Sequence, residues 1–207
     1  MNHKRRKLAI TGGPSGGKTT LIENLQRDLG PAIAVAPEAA SILYRGGFPR
    51  RKGVERQKHI QRAIYYTQFE LEALVQDEYP QKLIICDRGS LDSLAYWPDD
   101  GTNFFETVDS TIESEIARYD WVLHLDTAPE SNYDSENPIR TETYAEAQKL
   151  NDRILEAWAA HPQRWIIHHQ MDFFTKMSLC MKIIKMLLQN KSYNEIENSI
   201  GRFEEGA

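Results

Sequence analysis

A nine-residue segment near the beginning of the chain limits its possible folds more than any other feature. The segment follows a short apolar run at residues 8–10 and precedes leucines spaced as on a helix. It satisfies the pattern G-x-x-x-x-G-K-S/T, the phosphate-binding P-loop. Its members are Gly12, Gly13, Pro14, Ser15, Gly16, Gly17, Lys18, Thr19 and Thr20. This order predicts a buried strand, a glycine-rich turn and a helix.

The composition of this turn indicates which ligand it suits. Glycines allow successive backbone N–H groups to turn inward and form an anion nest, and the N-terminus of the following helix adds a partial positive charge. Lys18 is predicted to reach the β- and γ-phosphates, and the Thr19 hydroxyl to ligate Mg²⁺. We therefore expect binding of a nucleoside triphosphate with Mg²⁺, by default ATP. The alternative is a glycine-rich turn that only joins a strand to a helix.

Five short apolar runs predict the central sheet. They are residues 8–10, 32–36, 83–86, 121–125 and 165–167. Strands that are apolar without alternation are typical of a parallel sheet covered by helices on both faces. The predicted fold is therefore an α/β, three-layer α/β/α sandwich of the P-loop NTPase class with a five-stranded parallel sheet. Ligands of such sheets gather at the carboxyl ends of the strands.

The longest predicted helix covers residues 55–78. Apolar residues recur in it at helical spacing, which indicates one face turned towards the core. The predicted inward stripe consists of Ile60, Ile64, Thr67, Leu71 and Leu74.

Length and charge limit the architecture and the partners. The chain has 207 residues, which suits a single domain over residues 1–190 with a peripheral C-terminal tail at 191–207. Its net charge of −5 argues against a nucleic-acid-binding surface. The apolar runs are far shorter than the roughly 18 residues of a membrane-spanning helix. The sequence leaves the oligomeric state open.

The two cysteines indicate the compartment. Cys86 ends an apolar run and Cys180 lies on a predicted helix, so we expect two buried thiols rather than a disulfide. The sequence shows neither a Cys/His metal spacing nor a signal-peptide pattern before the P-loop. These features predict a cytoplasmic protein.

Charged residues follow the second and third predicted strands, at the edge where a ligand would bind. Asp87 and Arg88 end the third strand, and Glu38 follows the second. Asp87 is predicted to hold Mg²⁺ or to accept a proton from an attacking hydroxyl. Arg88 offers a planar donor fork for phosphate oxygens. Glu38 is a candidate general base or a partner of the acceptor's hydroxyls.

Each of these three residues also has a structural alternative. Asp87 would cap the helical turn at residues 90–95, and Arg88 would pair with a surface acid. Glu38 would be the N-cap of a helix.

Asp126, at the end of the fourth strand, competes with Asp87 as the acidic residue of the nucleotide site. The segment after it, residues 127–143, is polar and has two prolines and no hydrophobic period. This pattern predicts a mobile lid. Arg140 in the lid is a candidate to close over the transferring phosphoryl group, and the alternative is a solvated loop arginine.

Two further groups of basic residues stand near predicted strand ends or loops. His168 and His169 follow the fifth strand, where a nucleotide base could stack, or they pack against the last helix. The loop before the long helix is a candidate clamp for an anionic acceptor, or a solvated loop. Its cations are Arg45, Arg50, Arg51 and Lys52.

Taken together, these motifs resemble the NadR-like P-loop domain family. The similarity rests on GGPSGGKTT, PEAA, CDRG followed by Ser-Leu-Asp, and NPIR before a helix, and extends over about residues 7–165. The family is grouped with AAA-type domains and is built like small-molecule and nucleotide kinases. Its best-characterised members phosphorylate ribosylnicotinamide.

The resemblance implies roles for individual positions. Lys18 and Thr19 would take the nucleotide phosphates and Mg²⁺, Asp87 and Arg88 would face the transferred phosphate, and Glu38 would line the acceptor side. The lid has a single arginine where nucleotide kinases often have several, and no aromatic sandwich for a nicotinamide ring is evident.

Two functions follow as hypotheses. The first is an ATP–Mg²⁺-dependent kinase that acts on a small, nucleoside-like acceptor. Its catalytic residues would be Lys18, Asp87, Arg88, Glu38 and Arg140. The second is a nucleotide-binding regulatory switch with little turnover.

Overall fold

Five parallel strands form the centre of the computed structural model, which describes residues 6–133, 143–168 and 172–204. The strands are β1 (Arg6–Thr11), β2 (Ile33–Ala36), β3 (Leu83–Asp87), β4 (Trp121–Leu125) and β5 (Arg164–Ile167). They lie in the order β2-β3-β1-β4-β5, and every pairing is parallel. The predicted five-stranded parallel sheet is confirmed. Since β1 is the middle strand, the P-loop leaves the sheet at the centre of its carboxyl edge.

Helices cover both faces of this sheet. They are α1 (Lys18–Leu29), α2 (Ala39–Arg45), α3 (Val54–Glu78), α4 (Asp92–Ala95), α5 (Phe104–Val108), α6 (Ile112–Ile116), α7 (Tyr144–Ala157), α8 (Phe173–Leu188) and α9 (Tyr193–Glu204). Helices α1, α8 and α9 pack in the core on one face, and α3, α4 and α7 pack on the other. The predicted three-layer sandwich is thereby confirmed. Within the described ranges, no helix is long and apolar enough to cross a membrane.

Strand β1 shows why the strands are continuous apolar runs in the sequence. Leu8 and Ile10 are fully buried in the core beneath α1 and α8, whereas Ala9 is buried in the core that contains Trp158. Successive side chains of a strand point to opposite faces, so a strand covered on both sides needs apolar residues at every position.

The buried face of α3 agrees only in part with the predicted one. Leu74, placed in the inward stripe by its spacing, is 63% exposed. The residues that α3 buries are Ile60, Gln61, Tyr65, Gln68, Glu72 and Val75. Ile60 of the predicted stripe is buried, and Ile64, Thr67 and Leu71 are half-buried. Because three of the six buried side chains carry an amide or a carboxylate, the hydrophobic pattern predicts this face only in part.

Glu72 explains how α3 can bury a charge. Its carboxylate is fully buried and accepts hydrogen bonds from Lys7 Nζ at 2.9 Å, from Arg118 Nη2 at 3.0 Å and from the Tyr119 hydroxyl at 2.7 Å. Ionic and hydrogen-bonding partners offset the cost of removing a carboxylate from water. The rotation of α3 brings its glutamines to the carboxyl edge of the sheet.

The C-terminal segment is more integrated than the peripheral tail that the sequence predicts. Ile196 on α9 is fully buried, and the Tyr193 ring lies 4.8 Å from that of Trp165. The Tyr193 hydroxyl also donates to the Arg164 carbonyl at 3.0 Å. Helix α9 therefore extends the core beside β5. Its mostly polar composition does not predict this packing. Residues 205–207 lie outside the described residues.

The two cysteines are free and fully buried, as predicted. Burial raises the pKa of Cys180 to about 12 and holds that of Cys86 well above its ordinary value. Both therefore act as small apolar core residues.

Candidate active site

The backbone of the P-loop requires glycine at particular positions. Gly12 has φ of +125°, and a Cβ there would overlap the Leu125 carbonyl oxygen at the end of β4. A Cβ on Gly13 would overlap the Thr127 hydroxyl. Gly17, at φ of +92°, is the left-handed residue from which α1 begins. The loop is thus packed against the end of β4 and the residues after it. At Gly12 and Gly13 only glycine fits, because a side chain would overlap these neighbours.

Lys18 turns back onto the loop. Its ammonium group is buried and donates to the carbonyl oxygens of Gly12 and Gly13, both at 2.7 Å. Burial, together with the nearby Arg88 guanidinium, lowers the pKa of Lys18 to about 7, against the opposing effect of three carboxylates. A polyphosphate beside this group would restore its full charge, because an anion stabilises the ammonium form.

One polar atom of the loop indicates that it suits an anion. The Ser15 hydroxyl oxygen is buried and has no hydrogen-bond partner among the described residues. Ser15 has a backbone φ of +60°, a conformation that residues other than glycine rarely adopt. Unpaired buried polar groups and strained backbone cluster at ligand sites. The loop geometry therefore fits a phosphate-bearing ligand.

The P-loop opens into a large cleft at the carboxyl edge of the sheet. The cleft has a volume of about 1150 Å³, above the roughly 300–1,000 Å³ typical of single-ligand pockets. One wall consists of residues 14–20, and the opposite wall is formed by α2, α3 and the loop between them. The floor includes Glu38, Asp87, Arg88 and Asp92. Two small molecules can therefore lie side by side.

Asp87 ends β3 and faces this cleft. Burial, reinforced by the neighbouring charge of Glu38, raises the pKa of Asp87 to about 6. Its alternative role as a helix cap does not appear, since Leu91 occupies the N-cap position of α4. A carboxyl that titrates near neutrality is suited to accept a proton.

Arg88 is held by two carboxylates. Its Nε donates to Glu38 Oε1 at 2.5 Å, and its Nη1 donates to Asp92 Oδ2 at 3.0 Å. Arg88 has a backbone φ of +71°, which is unusual for a residue other than glycine. Both partners belong to the cleft, so Arg88 does not pair with a surface acid. Its guanidinium borders the P-loop, since it also lies 3.5 Å from the Gly12 carbonyl oxygen.

Sequence reasoning missed Asp92 as a functional residue. It is 4% exposed and accepts hydrogen bonds from the Thr11 hydroxyl at 2.6 Å and from Trp158 Nε1 at 2.8 Å, in addition to Arg88. The available signal was its position shortly after the strand end that carries Asp87 and Arg88. Asp92 thus connects β1, α7 and the arginine of the site.

Glu38 occupies the N-cap position of α2, as its structural alternative predicts, but its side chain makes no capping hydrogen bond. Its carboxylate accepts hydrogen bonds from Ser41 Oγ and from Arg88 Nε. Burial opposes its ionisation, but Arg88 and Ser41 outweigh this effect and lower the pKa of Glu38. Glu38 is therefore ionised at neutral pH, beside the more weakly acidic Asp87.

Asp126 belongs to a different network, and it is not among the described residues that line the cleft. Its carboxylate lies 3.4 Å from His124 Nε2 and 3.1 Å from His168 Nδ1, and it accepts from Asn151 Nδ2 at 3.2 Å. Although burial opposes it, hydrogen bonding from His124 and Asn151 lowers the pKa of Asp126. Asn151 Oδ1 in turn accepts from the Gly13 N–H at 3.1 Å, so this network supports the P-loop from behind.

The remaining candidates fall in different places. Arg140, residues 134–142 of the predicted lid and His169 lie outside the described residues. His168 contacts Asp126 rather than the cleft. The four cations of the loop before α3 do line the cleft, and Arg50 lies 4.4 Å over the Tyr44 ring.

Several uncharged residues of the cleft were also missed. Two tyrosines and three glutamines line it: Tyr44, Tyr96, Gln57, Gln61 and Gln68. The glutamines occupy one face of α3, and this spacing was the available signal. Polar residues on the inner face of a helix are difficult to distinguish from solvated ones in a sequence.

The oxygen donors of the cleft fit Mg²⁺. Thr19 and Asp87 both line the cleft, and Mg²⁺ usually binds one or two protein oxygens in addition to substrate phosphates. Among the described residues, no cluster of three or more His, Cys, Asp or Glu side chains is placed to hold a metal.

Comparison with known proteins identifies the family and the fold of the chain. A family model described as AAA domain matches residues 7–176. The chain is similar in structure to thymidylate kinase from Candida albicans, with a TM-score of 0.59 and 16% sequence identity over 90% of this chain and 93% of that one. No curated protein matches the sequence. The nucleotide-kinase-like fold and the AAA-type grouping are thereby confirmed, whereas a NadR-like specificity stays a prediction.

Proposed function

The chain belongs to the AAA domain family, and from this premise we propose that it is an ATP–Mg²⁺-dependent kinase of a small acceptor. The acceptor is a nucleoside-like molecule that receives the phosphoryl group on a hydroxyl. The observation that carries this proposal is the direct continuity between the P-loop and the carboxylates of Asp87 and Glu38 in one cleft.

The cleft supplies the groups that phosphoryl transfer needs. The oxygen of the acceptor hydroxyl attacks the γ-phosphorus, and the bond between this phosphorus and the β–γ bridging oxygen breaks to leave ADP. The hydroxyl proton passes to Asp87, or to Glu38 as the second candidate. Lys18 and the loop N–H groups stabilise the phosphate charges.

The other residues of the site position these groups. Arg88 holds the Glu38 carboxylate in place and contributes positive charge beside the P-loop. Thr19 would hold Mg²⁺, which neutralises phosphate charge when bound, and Asp87 would be its second oxygen ligand in the arrangement in which Glu38 takes the acceptor proton. Arg140 remains a candidate to close over the site.

An acceptor screen tests this proposal. The purified chain is incubated with ATP, Mg²⁺ and a panel of nucleosides and other hydroxyl-bearing metabolites, and ADP is measured with and without each acceptor. We expect at least one acceptor to raise ADP release well above the background of ATP alone. No acceptor-dependent ADP from a broad panel would contradict the proposal.

One observation favours the second candidate, a regulatory nucleotide switch. The Arg88 guanidinium is occupied by two carboxylates, which leaves fewer donors for a transferring phosphate. Limited proteolysis of the chain with ATP and with ADP distinguishes the two functions. A large difference in protection without any acceptor turnover would support the switch.

A further inference from the structure

Gln61 is a largely buried glutamine whose amide lies at the wall of the cleft. It lies on α3, is 3% exposed and lines the cleft. Its side chain makes no hydrogen bond to any other described residue. Its amide atoms are not among the fully buried polar atoms that lack a partner, so they open onto the space of the cleft. An amide that opens onto a cleft and that the fold does not use is available to hydrogen-bond a ligand.

The neighbouring glutamines of α3 behave differently. Gln57 Nε2 donates to the Tyr96 carbonyl at 3.2 Å. Gln68 Oε1 accepts from the Ala39 N–H at 3.2 Å, and its Nε2 donates to Glu72 at 3.2 Å. Both of these amides are used by the fold itself. Gln61, between them on the same helix, has no such structural use.

The surroundings of Gln61 suit a flat ring. Ile60 and Ile64 of the same helix and the ring of Tyr96 line the cleft with it. Apolar walls with one polar group are typical of pockets that bind planar rings, in which the polar group sets the orientation. A carboxamide presents one donor and one acceptor side by side. Its complement is a ring edge with an N–H beside a C=O.

The position of Gln61 along α3 matches the length of a nucleoside. Gln68 contacts the floor of the cleft, since its Nε2 lies 3.5 Å from the Arg88 carbonyl oxygen. Gln61 lies seven residues away, roughly 10 Å along the helix axis. A sugar whose hydroxyl faces the carboxylates of the floor would therefore carry its attached ring to the level of Gln61.

We propose that Gln61 determines acceptor specificity by pairing with the cyclic amide edge of a planar ring. The acceptor is then a nucleoside whose base carries an N–H next to a C=O. This inference rests on the proposed kinase function, because it names the acceptor class of that same cleft.

Matched pairs of nucleosides test this proposal. Uridine is compared with 3-methyluridine, in which the ring N–H is blocked, and inosine with purine riboside, which lacks the amide. Calorimetry with Mg²⁺ and ADP present measures binding of each compound. For the wild type we expect the amide-bearing member of at least one pair to bind about tenfold or more tightly.

Variants of Gln61 identify the group responsible. Gln61→Leu keeps the size and removes both polar atoms, and we expect the preference within the pair to fall below about twofold. Gln61→Glu keeps the shape but removes the donor, and we expect a partial loss. Gln26→Leu, at an exposed glutamine of α1, is the matched control and should keep the wild-type preference.

The possible outcomes separate this proposal from the kinase function. A wild type that binds both members of each pair equally, or binds neither, would overturn the role of Gln61. So would an unchanged preference in Gln61→Leu. Phosphorylation of acceptors without the amide would then leave the kinase function standing. Conversely, amide-dependent binding that is lost in Gln61→Leu, without any phosphoryl transfer, supports the role of Gln61 and contradicts the kinase.

Discussion

The Arg88 guanidinium donates from Nη1 to the carboxylate of Asp92, four residues further along the chain, at 3.0 Å. The same group donates from Nε to Glu38 at 2.5 Å, so two carboxylates fix one arginine in the floor of the cleft. Thr11 and Trp158 donate to the other oxygen of Asp92. The orientation of Arg88 and Glu38 thus depends on a residue that itself contacts the core.

Asp92→Asn should destabilise the protein by roughly 2–4 kcal/mol, because it leaves the buried charge of Arg88 without one of its two partners. Urea unfolding of the variant and the wild type measures the difference. Asp99→Asn removes an exposed partner of Arg153 and is the matched control, with an expected change below about 0.5 kcal/mol. Equal stabilities of the two variants would show that Asp92 does not anchor the site.

Asp87→Asn should lower acceptor-dependent turnover by about 100-fold or more while ATP affinity changes little, because the amide cannot take up the acceptor proton. Asp126→Asn should reduce turnover less, since Asp126 lies behind the P-loop. Turnover and ATP affinity of both variants are measured with the acceptor found in the screen. The opposite ranking would transfer the catalytic role to Asp126.

The stability contribution of Asp126 should depend on pH in a defined direction. Its pKa in the folded state is lowered, so the folded protein favours the ionised form. The contribution is therefore present above the ordinary pKa of 3.8 and is lost as the pH falls through the lowered value. Asp126→Asn should cost roughly 1–3 kcal/mol near pH 7, and the difference from wild type should shrink below about pH 4. Urea unfolding at several pH values checks this; a difference that grows in acid would contradict it.

Gly12→Ala should abolish nucleotide binding or prevent folding, because its Cβ would overlap the Leu125 carbonyl oxygen. Gly101→Ala is the matched control. Gly101 has φ of +81° but no atom within 4 Å of its would-be Cβ, so only backbone strain of about 1–2 kcal/mol applies. Thermal unfolding and ATP titration measure both variants. Normal ATP binding by Gly12→Ala would show that the loop is not held as described.

Much of the fold could be predicted from the sequence, for a physical reason. A parallel strand buried on both faces must be apolar at every position, so the runs of all five strands are evident without any structure. The P-loop is evident too, because phosphate binding fixes its glycines, its lysine and its hydroxyl. The positions of Asp87 and Glu38 in one cleft follow from where parallel strands end.

Other features depend on contacts between residues distant in the sequence. The inner face of α3 is polar because Lys7, Arg118 and Tyr119 surround Glu72, and no local pattern predicts these partners. The pairing of Arg88 with two carboxylates and the burial of Ile196 on α9 also depend on contacts between residues distant in the sequence. Hydrophobic periodicity describes a helix in isolation, whereas these features arise from its neighbours.

Calorimetric titration with ATP and Mg²⁺ tests the central claim, that the P-loop and Lys18 bind a nucleoside triphosphate. The wild type should bind, and Lys18→Ala, checked for a native circular dichroism spectrum, should bind at least about tenfold more weakly. Absence of binding by the folded wild type, or equal binding by the variant, would contradict the account.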